Sequence, residues 1–313
     1  MPGFSIVTYS HDWLQGMVDL YNSETEFEPH IAPLTAHRFI EMVERKSYFD
    51  PSGLFIAADG DRVVGWVHAC IAPGSEPRHD PVALVARIRL LLYPRDRLGV
   101  GAALVSEATT WLRAKGYQSI EAMHAESGYP FYRGLWMGSE PKCLVTMPHI
   151  QLALEVGGYR NTLESIYMVA GLSSHCRHSS PKAPVEFAES VQEMAHAGMR
   201  ESWVGFQPMG VRAMVGEEEA GFLGWVLLPH VADRLGAPCL NIWSLWVPEA
   251  HRRKGIAGAL LSHALARGRA LGACCASVST QLWNAPAHAT YAKAGFVPHT
   301  ICVGRVLRPE SVP

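Results

Sequence analysis

The chain has 313 residues, 48% hydrophobic and 18% charged, a composition that supplies a packed core and excludes a chain that is disordered as a whole. Its 27 basic and 29 acidic side chains leave a formal charge of −2, which excludes the strongly basic surface typical of nucleic-acid binders. At about 150 residues per domain, this length fits one large domain or two of average size.

Targeting and metal signals are weak throughout the sequence. No apolar stretch reaches the roughly 18 residues of a membrane span, and the first residues lack the basic and apolar regions of a signal peptide. We therefore expect a cytoplasmic protein without a membrane partner.

The seven cysteines form no C-x-x-C pair, which argues against a disulfide framework or a zinc ribbon. His175, Cys176 and His178 could hold a metal but lack a second ligand pair, so we expect no metal site.

The elements of the first part of the chain follow from hydrophobic periodicity. In chain order they are a strand (4–9), helices (11–22 and 35–44), strands (53–58, 63–71 and 85–93), a helix (100–115) and a strand (118–124). The order is helices, an antiparallel run of strands, and then a strand-helix-strand crossover.

The elements of the second part repeat this order. They are a helix (187–202), strands (211–215, 222–228 and 240–247), a helix (256–271), a strand (275–281) and a helix (286–294), after which Phe296 begins another strand. Gly295 stands at the C-cap position of the last helix.

Short motifs indicate that the chain is an internal repeat. The tetrapeptide VGWV at residue 64 recurs as LGWV at residue 223, 159 residues later. Gly99 and Gly116 recur 156 residues later as Gly255 and Gly272. Three ordered landmarks at a nearly constant offset predict two copies of one domain.

The predicted organisation is a first copy over 1–172, a linker over 173–184 and a second copy over 185–313. The boundary is placed where Ser, His, Gly and Pro replace any apolar period. We predict an α/β fold in which each copy is a mixed, mostly antiparallel sheet with helices on both faces.

A candidate anion site lies at 248–259, where PEAHRRKGIAGA joins a predicted strand to a predicted helix. A helix N-terminus offers unpaired N–H groups and partial positive charge, and glycine allows close approach. Gly255 and Gly258 allow a phosphate to come close to these N–H groups, and Arg252, Arg253 and Lys254 supply positive charge. An ordinary glycine-rich turn with solvated basic residues is the alternative that these residues leave open.

The motif Arg252-x-x-Gly255-x-Ala257, followed after a helix and a strand by Asn284 and Tyr291, resembles the GNAT superfamily of acyl-CoA-dependent N-acyltransferases. The resemblance implies that backbone amides bind the pyrophosphate of acetyl-CoA, that Asn284 binds the pantetheine arm and that Tyr291 protonates the leaving thiolate. The implied coenzyme-binding residues are Leu245, Trp246, Val247, Arg252, Arg253, Lys254, Gly255, Ile256, Ala257, Gly258, Ala259 and Asn284.

The resemblance implies acetyl transfer from acetyl-CoA to a primary amine of a small molecule by direct attack. Two alternatives remain open: a non-catalytic acyl-CoA sensor or scaffold, and a protein acetyltransferase acting on a lysine or an N-terminus. Tyr291 could instead be a core aromatic residue, and Asn284 could simply cap a helix. The strand at 240–247 lacks a carboxylate, and the candidates for a general base are Glu201, His230 and Glu249.

The first copy departs from the motif. Asp96 stands where the second copy has Arg252, and Leu154 stands where it has Tyr291; a leucine cannot donate a proton. We therefore assign catalysis to the second copy and consider the first degenerate, with Tyr132 as a fallback acid. A second coenzyme site in the first copy would comprise Arg97, Gly99, Val100, Gly101 and Ala102. We expect a monomer or a homodimer.

Overall fold

A computed structural model describes residues 3–73, 84–123, 129–136, 141–172, 184–193 and 197–309. The first copy contains, in order, β1 (Ser5–Thr8), α1 (Leu14–Thr25), α2 (Ala36–Phe39), a π-helical turn (Ile40–Glu44), β2 (Leu54–Asp59), β3 (Arg62–Pro73), β4 (Leu84–Leu92), α3 (Leu98–Ala114), β5 (Ile120–Ala122), β6 (Cys143–Leu144), α4 (Pro148–Val156) and β7 (Arg160–Gly171).

The second copy repeats this succession with few changes. It contains β8 (Glu186–Val191), α5 (Ala197–Ser202), β9 (Met209–Val215), β10 (Glu218–Leu228), α6 (Ala232–Leu235), β11 (Cys239–Trp246), α7 (Ile256–Ala270), β12 (Cys275–Gln281), α8 (Ala285–Lys293) and β13 (Val297–Leu307). Within the described ranges, no helix has the length and apolar character needed to cross a bilayer.

The helix predicted over 187–202 is wrong in its first part. Residues Glu186–Val191 form β8, which pairs antiparallel with β9 at the edge of the sheet, and of the residues described in this segment only Ala197–Ser202 are helical. Pairing with an existing strand overrides the helical periodicity of this short segment. The internal repeat could have predicted this strand, because β8 is the counterpart of β1, which pairs with β2 as β8 pairs with β9.

The strands form one continuous mixed sheet in the order β1-β2-β3-β4-β5-β13-β7-β12-β11-β10-β9-β8, with β6 on β13. Only β4 with β5 and β11 with β12 are parallel pairs; the other described pairs are antiparallel. These parallel pairs are the crossovers of the two copies, one on each side of the centre of the sheet. The predicted mixed α/β fold with two repeats is confirmed.

The two copies exchange their last strands. β7 of the first copy pairs with β12 of the second, and β13 of the second copy pairs with β5 of the first. β7 and β13 also pair with each other in the middle of the sheet. Each copy therefore completes the sheet of the other, which the division at 172 and 185 did not anticipate.

Helices cover both faces of the sheet. Because neighbouring residues of a strand point to opposite faces, consecutive residues of β3 contact different helices. In β3, a Cβ on Gly65 would meet Val100 and Leu104 of α3. The next residue, Trp66, packs edge-on against Phe39 of α2 on the opposite face. In the second copy, a Cβ on Gly221 would meet Ile256 and Leu260 of α7.

Candidate functional site

A slot opens between the parallel strands of the second copy. β11 and β12 pair only from Cys239 with Cys275 to Ile242 with Val278. Beyond that point β11 continues to Trp246 and β12 to Gln281 without pairing to each other. Leu245 and Trp246, two of the residues predicted to bind the coenzyme, thus lie on a strand edge that is open toward β12.

The loop after β11 is built to expose backbone N–H groups. Arg253 (φ 61°) and Gly255 (φ 87°) both adopt left-handed conformations, which glycine accepts without strain and arginine does not. Gly255 is the N-cap of α7, and its carbonyl accepts the N–H of Ala259 at 3.0 Å. The N–H groups of Ile256, Ala257 and Gly258 have no hydrogen-bond partner within the described part of the chain. Three donors therefore point out of the helix start.

Positive charge surrounds these donors. Arg252, Arg253 and Lys254 are all exposed. The Arg252 Nε donates to the carbonyl oxygen of Val247 at 3.2 Å, which holds its guanidinium between the end of β11 and the start of α7. Below the loop, Nε2 of the buried His251 lies 3.0 Å from an oxygen of Glu218 on β10. This arrangement can bind a phosphate group.

Tyr291 and Asn284 belong to α8 and its N-cap, next to the open end of β12. Tyr291 is only 6% exposed and packs edge-on against Phe296 with ring centroids 5.7 Å apart. Burial raises the pKa of Tyr291 to about 12, and its hydroxyl has no hydrogen-bond partner among the described residues. Asn284 caps α8: its Oδ1 accepts the N–H of Ala287 at 3.3 Å, and its Nδ2 donates to Thr280 at 3.3 Å.

The equivalent loop of the first copy is closed. The carbonyl of Arg97 accepts the N–H of Val100 at 2.8 Å and, more weakly, that of Gly101 at 3.4 Å. Two amides that would face a phosphate are therefore used inside the helix start. A Cβ on Gly101 would lie 2.2 Å from the ring of Tyr93, so this glycine allows packing between helix and strand. Gly99 is open, since a Cβ added there would meet nothing within 4 Å, and Ala102 lies on α3.

Negative charge also surrounds the first loop. The Arg97 guanidinium lies 3.5 Å from Asp59. The adjacent cleft, of about 910 Å³, is lined by four carboxylates and two guanidinium groups: Asp19, Asp59, Asp61, Asp96, Arg62 and Arg97. A pyrophosphate placed here would meet a net negative lining, in contrast to the second copy.

The fallback acid Tyr132 is enclosed in the first copy. It is fully buried with φ 63°, and its hydroxyl lies 2.8 Å from Nδ1 of His68. Burial raises its pKa well above the ordinary value. Phe131 and Tyr132 pack edge-on around His68 on the α2 face of β3, so this aromatic segment fills the space above the first copy's sheet.

The three candidate bases have different surroundings. Glu201 accepts the N–H of Ser47 at 3.1 Å and the hydroxyl of the same residue, so it joins the two copies. Burial, followed by the charge of Arg38, lowers the pKa of His230. Glu249 is exposed at the start of the loop. The metal motif at 175–178 lies outside the described residues.

Sequence reasoning missed one carboxylate, Glu164. It belongs to the first copy, but the exchanged β7 brings it to the end of β12, where its carbonyl accepts the N–H of Leu282 at 2.9 Å. Glu164 lines a cleft of about 400 Å³ together with Leu282 and Trp283, and Trp283 is 75% exposed. A sequence pattern cannot place a residue of β7 beside the second copy, because the pairing of β7 with β12 depends on how the whole sheet assembles.

Comparison with known proteins places both copies in one family. The model of the Acetyltransferase (GNAT) family matches residues 14–135 and 179–296. No curated protein matches the sequence.

Solved structures match the chain over its length. A tandem GNAT protein from the clavulanic acid biosynthesis pathway superimposes with a TM-score of 0.64 at 16% identity, over 97% of this chain and 98% of that one. A GCN5-related N-acetyltransferase from Sphaerobacter thermophilus gives 0.63 at 14% identity, over 99% and 97%. A glucosamine N-acetyltransferase region of a fungal multi-domain β-N-acetylglucosaminidase gives 0.65 at 12% identity, over 97% of this chain and 38% of that one. At these identities the likeness establishes the fold.

Proposed function

Because the chain belongs to the GNAT acetyltransferase family, with both copies matched, we propose that its second copy transfers an acetyl group from acetyl-CoA to the primary amine of a small molecule. The observation that carries this proposal is the start of α7, where the N–H groups of Ile256, Ala257 and Gly258, beside Arg252, have no partner among the residues that the structure describes. The first copy then serves as a partner that completes the sheet.

Acetyl-CoA supplies the activated acyl group when bound. The three free amides of α7 and the basic side chains before them bind its pyrophosphate. The open edge of β11 beyond Ile242 binds the pantetheine arm, with Leu245 and Val247 offering main-chain groups that polarise the thioester carbonyl. Asn284 holds the end of the arm while capping α8.

Tyr291 acts as the general acid. The neutral amine attacks the thioester carbonyl carbon, the carbon–sulfur bond breaks, and the Tyr291 hydroxyl donates its proton to the departing sulfur. The proton that the attacking nitrogen loses passes to solvent, and solvent reprotonates the Tyr291 oxygen. The raised pKa keeps this hydroxyl protonated at neutral pH. Because the hydroxyl has no other partner among the described residues, it is free to make this contact.

Glu164 is the carboxylate that we assign to the amine. Of the described carboxylates, it is the one that shares the cleft of Leu282 and Trp283 at the end of β12. An anionic side chain and an exposed indole together suit a cationic amine, through charge and through the face of the ring. Glu164→Gln should therefore raise KM for the amine while leaving acetyl-CoA affinity unchanged.

A non-catalytic acyl-CoA sensor is the second candidate, favoured by one observation: β11 carries no carboxylate that could accept the ammonium proton. Thiol release from acetyl-CoA with a panel of polyamines, amino acids and amino sugars separates the two candidates. Turnover with any amine supports the enzyme. Saturable acetyl-CoA binding without thiol release across the panel, repeated with lysine peptides, supports the sensor.

The coenzyme site is tested with matched glycine variants. Gly255→Glu places a carboxylate and a strained residue at the N-cap of α7, whereas Gly99→Glu places the same side chain at an open position of the first copy. We expect acetyl-CoA to raise the melting temperature of wild type and Gly99→Glu but not of Gly255→Glu. Equal stabilisation of wild type and Gly255→Glu would refute the assignment.

A further inference from the structure

Three metal-ligating side chains converge where the two copies meet. Glu28 and His30 follow α1 in the first copy, and His299 lies near the start of β13 in the second. Oε1 of Glu28 lies 3.1 Å from Nδ1 of His30, and Oε2 of Glu28 lies 2.9 Å from Nε2 of His299. The ligand atoms of all three lie within 4.8 Å of one another.

An irregularity in the pairing of β13 with β7 brings His299 to Glu28. In the pairing of β13 with β7, Pro298 stands opposite Met168 and Thr300 opposite Tyr167. His299 is therefore the extra residue of a β-bulge, a feature that turns a side chain away from the regular alternation of the strand. Its imidazole reaches Glu28 across 271 positions of sequence.

The loop that carries Glu28 and His30 is held from the second copy. Arg234 donates through Nη1 to the main-chain carbonyl of Glu28 at 3.0 Å and to that of Thr25. The guanidinium thus bonds the backbone and not the carboxylate. The carboxylate contacts the two imidazoles, and its Oε1 also accepts the main-chain N–H of His30 at 3.0 Å. The Cys275 thiol lies near the His30 ring.

We propose that Glu28, His30 and His299 bind a Zn²⁺ ion that links the two copies. Two imidazoles and one carboxylate are a common protein ligand set for zinc, with a fourth position left for water. With bonds of about 2.0–2.2 Å, ligand atoms of a tetrahedral site lie about 3.3–3.6 Å apart. The observed ligand atoms, all within 4.8 Å of one another, reach that geometry with shifts of about 1 Å.

Burial and access fit a bound ion. The Glu28 side chain is 6% exposed, and that of His30 is 15% exposed. The His299 side chain is 26% exposed, which leaves a path to solvent for the ion and for the water ligand.

The site is separate from the acetyl-CoA slot. Cys275, beside His30, is the first residue of β12, whereas the slot opens after Val278. At about 3.3 Å per residue, these points are about 10 Å apart along the strand. The proposed role is to hold the copies together, and it does not depend on the function proposed for the second copy.

The test uses Zn²⁺ alone on the full chain after dialysis against a chelator. We expect calorimetry to show one Zn²⁺ per chain and zinc to raise the melting temperature. Glu28→Gln and His299→Asn should each weaken binding more than about 100-fold, because even loss of a residue that only orients a ligand costs 10–100-fold. Circular dichroism of the metal-free variants shows whether each is folded.

Two control variants make the outcome decisive. His37→Asn alters an exposed histidine, and His178→Asn alters the sequence motif at 175–178; both should bind zinc as wild type does. The proposal is overturned if wild type binds no stoichiometric zinc, if folded Glu28→Gln and His299→Asn bind it equally well, or if His178→Asn alone loses it. In the first two outcomes Glu28 is only a hydrogen-bond acceptor for the two histidines.

Discussion

Replacing Tyr291 with phenylalanine removes one oxygen atom and keeps the ring that packs against Phe296. Because the hydroxyl has no hydrogen-bond partner among the described residues, its loss should change the free energy of unfolding by less than about 1 kcal/mol. Loss of a general acid lowers turnover by about 100-fold or more. That factor corresponds to about 2.7 kcal/mol of activation free energy.

The assay measures thiol release at saturating acetyl-CoA, with the amine of the panel that wild type acetylates fastest. We expect kcat to fall and the KM for acetyl-CoA to stay unchanged, because the ring and the coenzyme contacts remain. Since the pKa of Tyr291 is raised to about 12, wild type should show no loss of the acid at neutral or mildly alkaline pH.

Tyr159→Phe is the matched control from the first copy. It also removes a buried hydroxyl, but one that hydrogen-bonds Thr109 at 2.9 Å, so it should cost about 1 kcal/mol of stability and leave kcat unchanged. Two results would refute the reasoning: full turnover by Tyr291→Phe, or an equal loss of turnover in both variants.

Three further predictions concern the junction, the buried histidine and the loop. Gly134→Ala should lower the free energy of unfolding by about 2–4 kcal/mol in urea titration, since Gly134 has φ 84° and a Cβ there would lie 2.2 Å from Phe206 of the second copy. Gly116 has φ 93° and open space around it, so Gly116→Ala should lower the free energy of unfolding only by the cost of a left-handed alanine backbone. Equal losses in the two variants would exclude a steric contribution from Phe206. Burial, then the charge of Arg89, lowers the pKa of His68 from 6.5 to about 3. The unfolded chain therefore binds a proton that the folded chain does not, and stability should fall by up to about 1.4 kcal/mol per pH unit as the pH drops between those values. Unfolding measured against pH should show a shallower fall in His68→Gln and a wild-type profile in the exposed control His37→Gln; a His68→Gln profile identical to wild type would contradict the assignment. Arg252→Gln should weaken acetyl-CoA binding by about 10-fold through loss of one charge-assisted contact, whereas calorimetry of Arg97→Gln should give the wild-type affinity; the reverse order would move the coenzyme to the first copy.

Local signals predicted the elements well where one face of a helix or strand meets the core. The helix predicted over 256–271 is α7, Ile256–Ala270, and the strand predicted over 275–281 is β12. The edge strand β8 was mistaken for a helix because an exposed strand has no apolar face to distinguish it, and only pairing with β9 defines it.

The residues of the candidate coenzyme site could be named from the sequence, but the state of each loop could not. A similar pattern of glycines begins α3 and α7, yet whether the amides are free depends on the preceding backbone. Arg253 and Gly255 are left-handed, and among the described residues no carbonyl accepts the N–H groups of Ile256, Ala257 and Gly258. In the first copy the Arg97 carbonyl accepts the N–H groups of Val100 and Gly101. Hydrogen-bond geometry of this kind is not encoded by residue type alone.

The sequence by itself determined the duplication, the family and the basic, glycine-containing loop before α7, because each is written in residues close together along the chain. The tertiary structure decided the exchange of β7 and β13, the arrival of Glu164 at the second copy and the meeting of Glu28 with His299. Strand pairing and side-chain contact between distant positions depend on how the whole sheet assembles, since a strand bonds whichever neighbour completes its ladder. Two similar copies offer nearly equivalent partners, and packing selects between them.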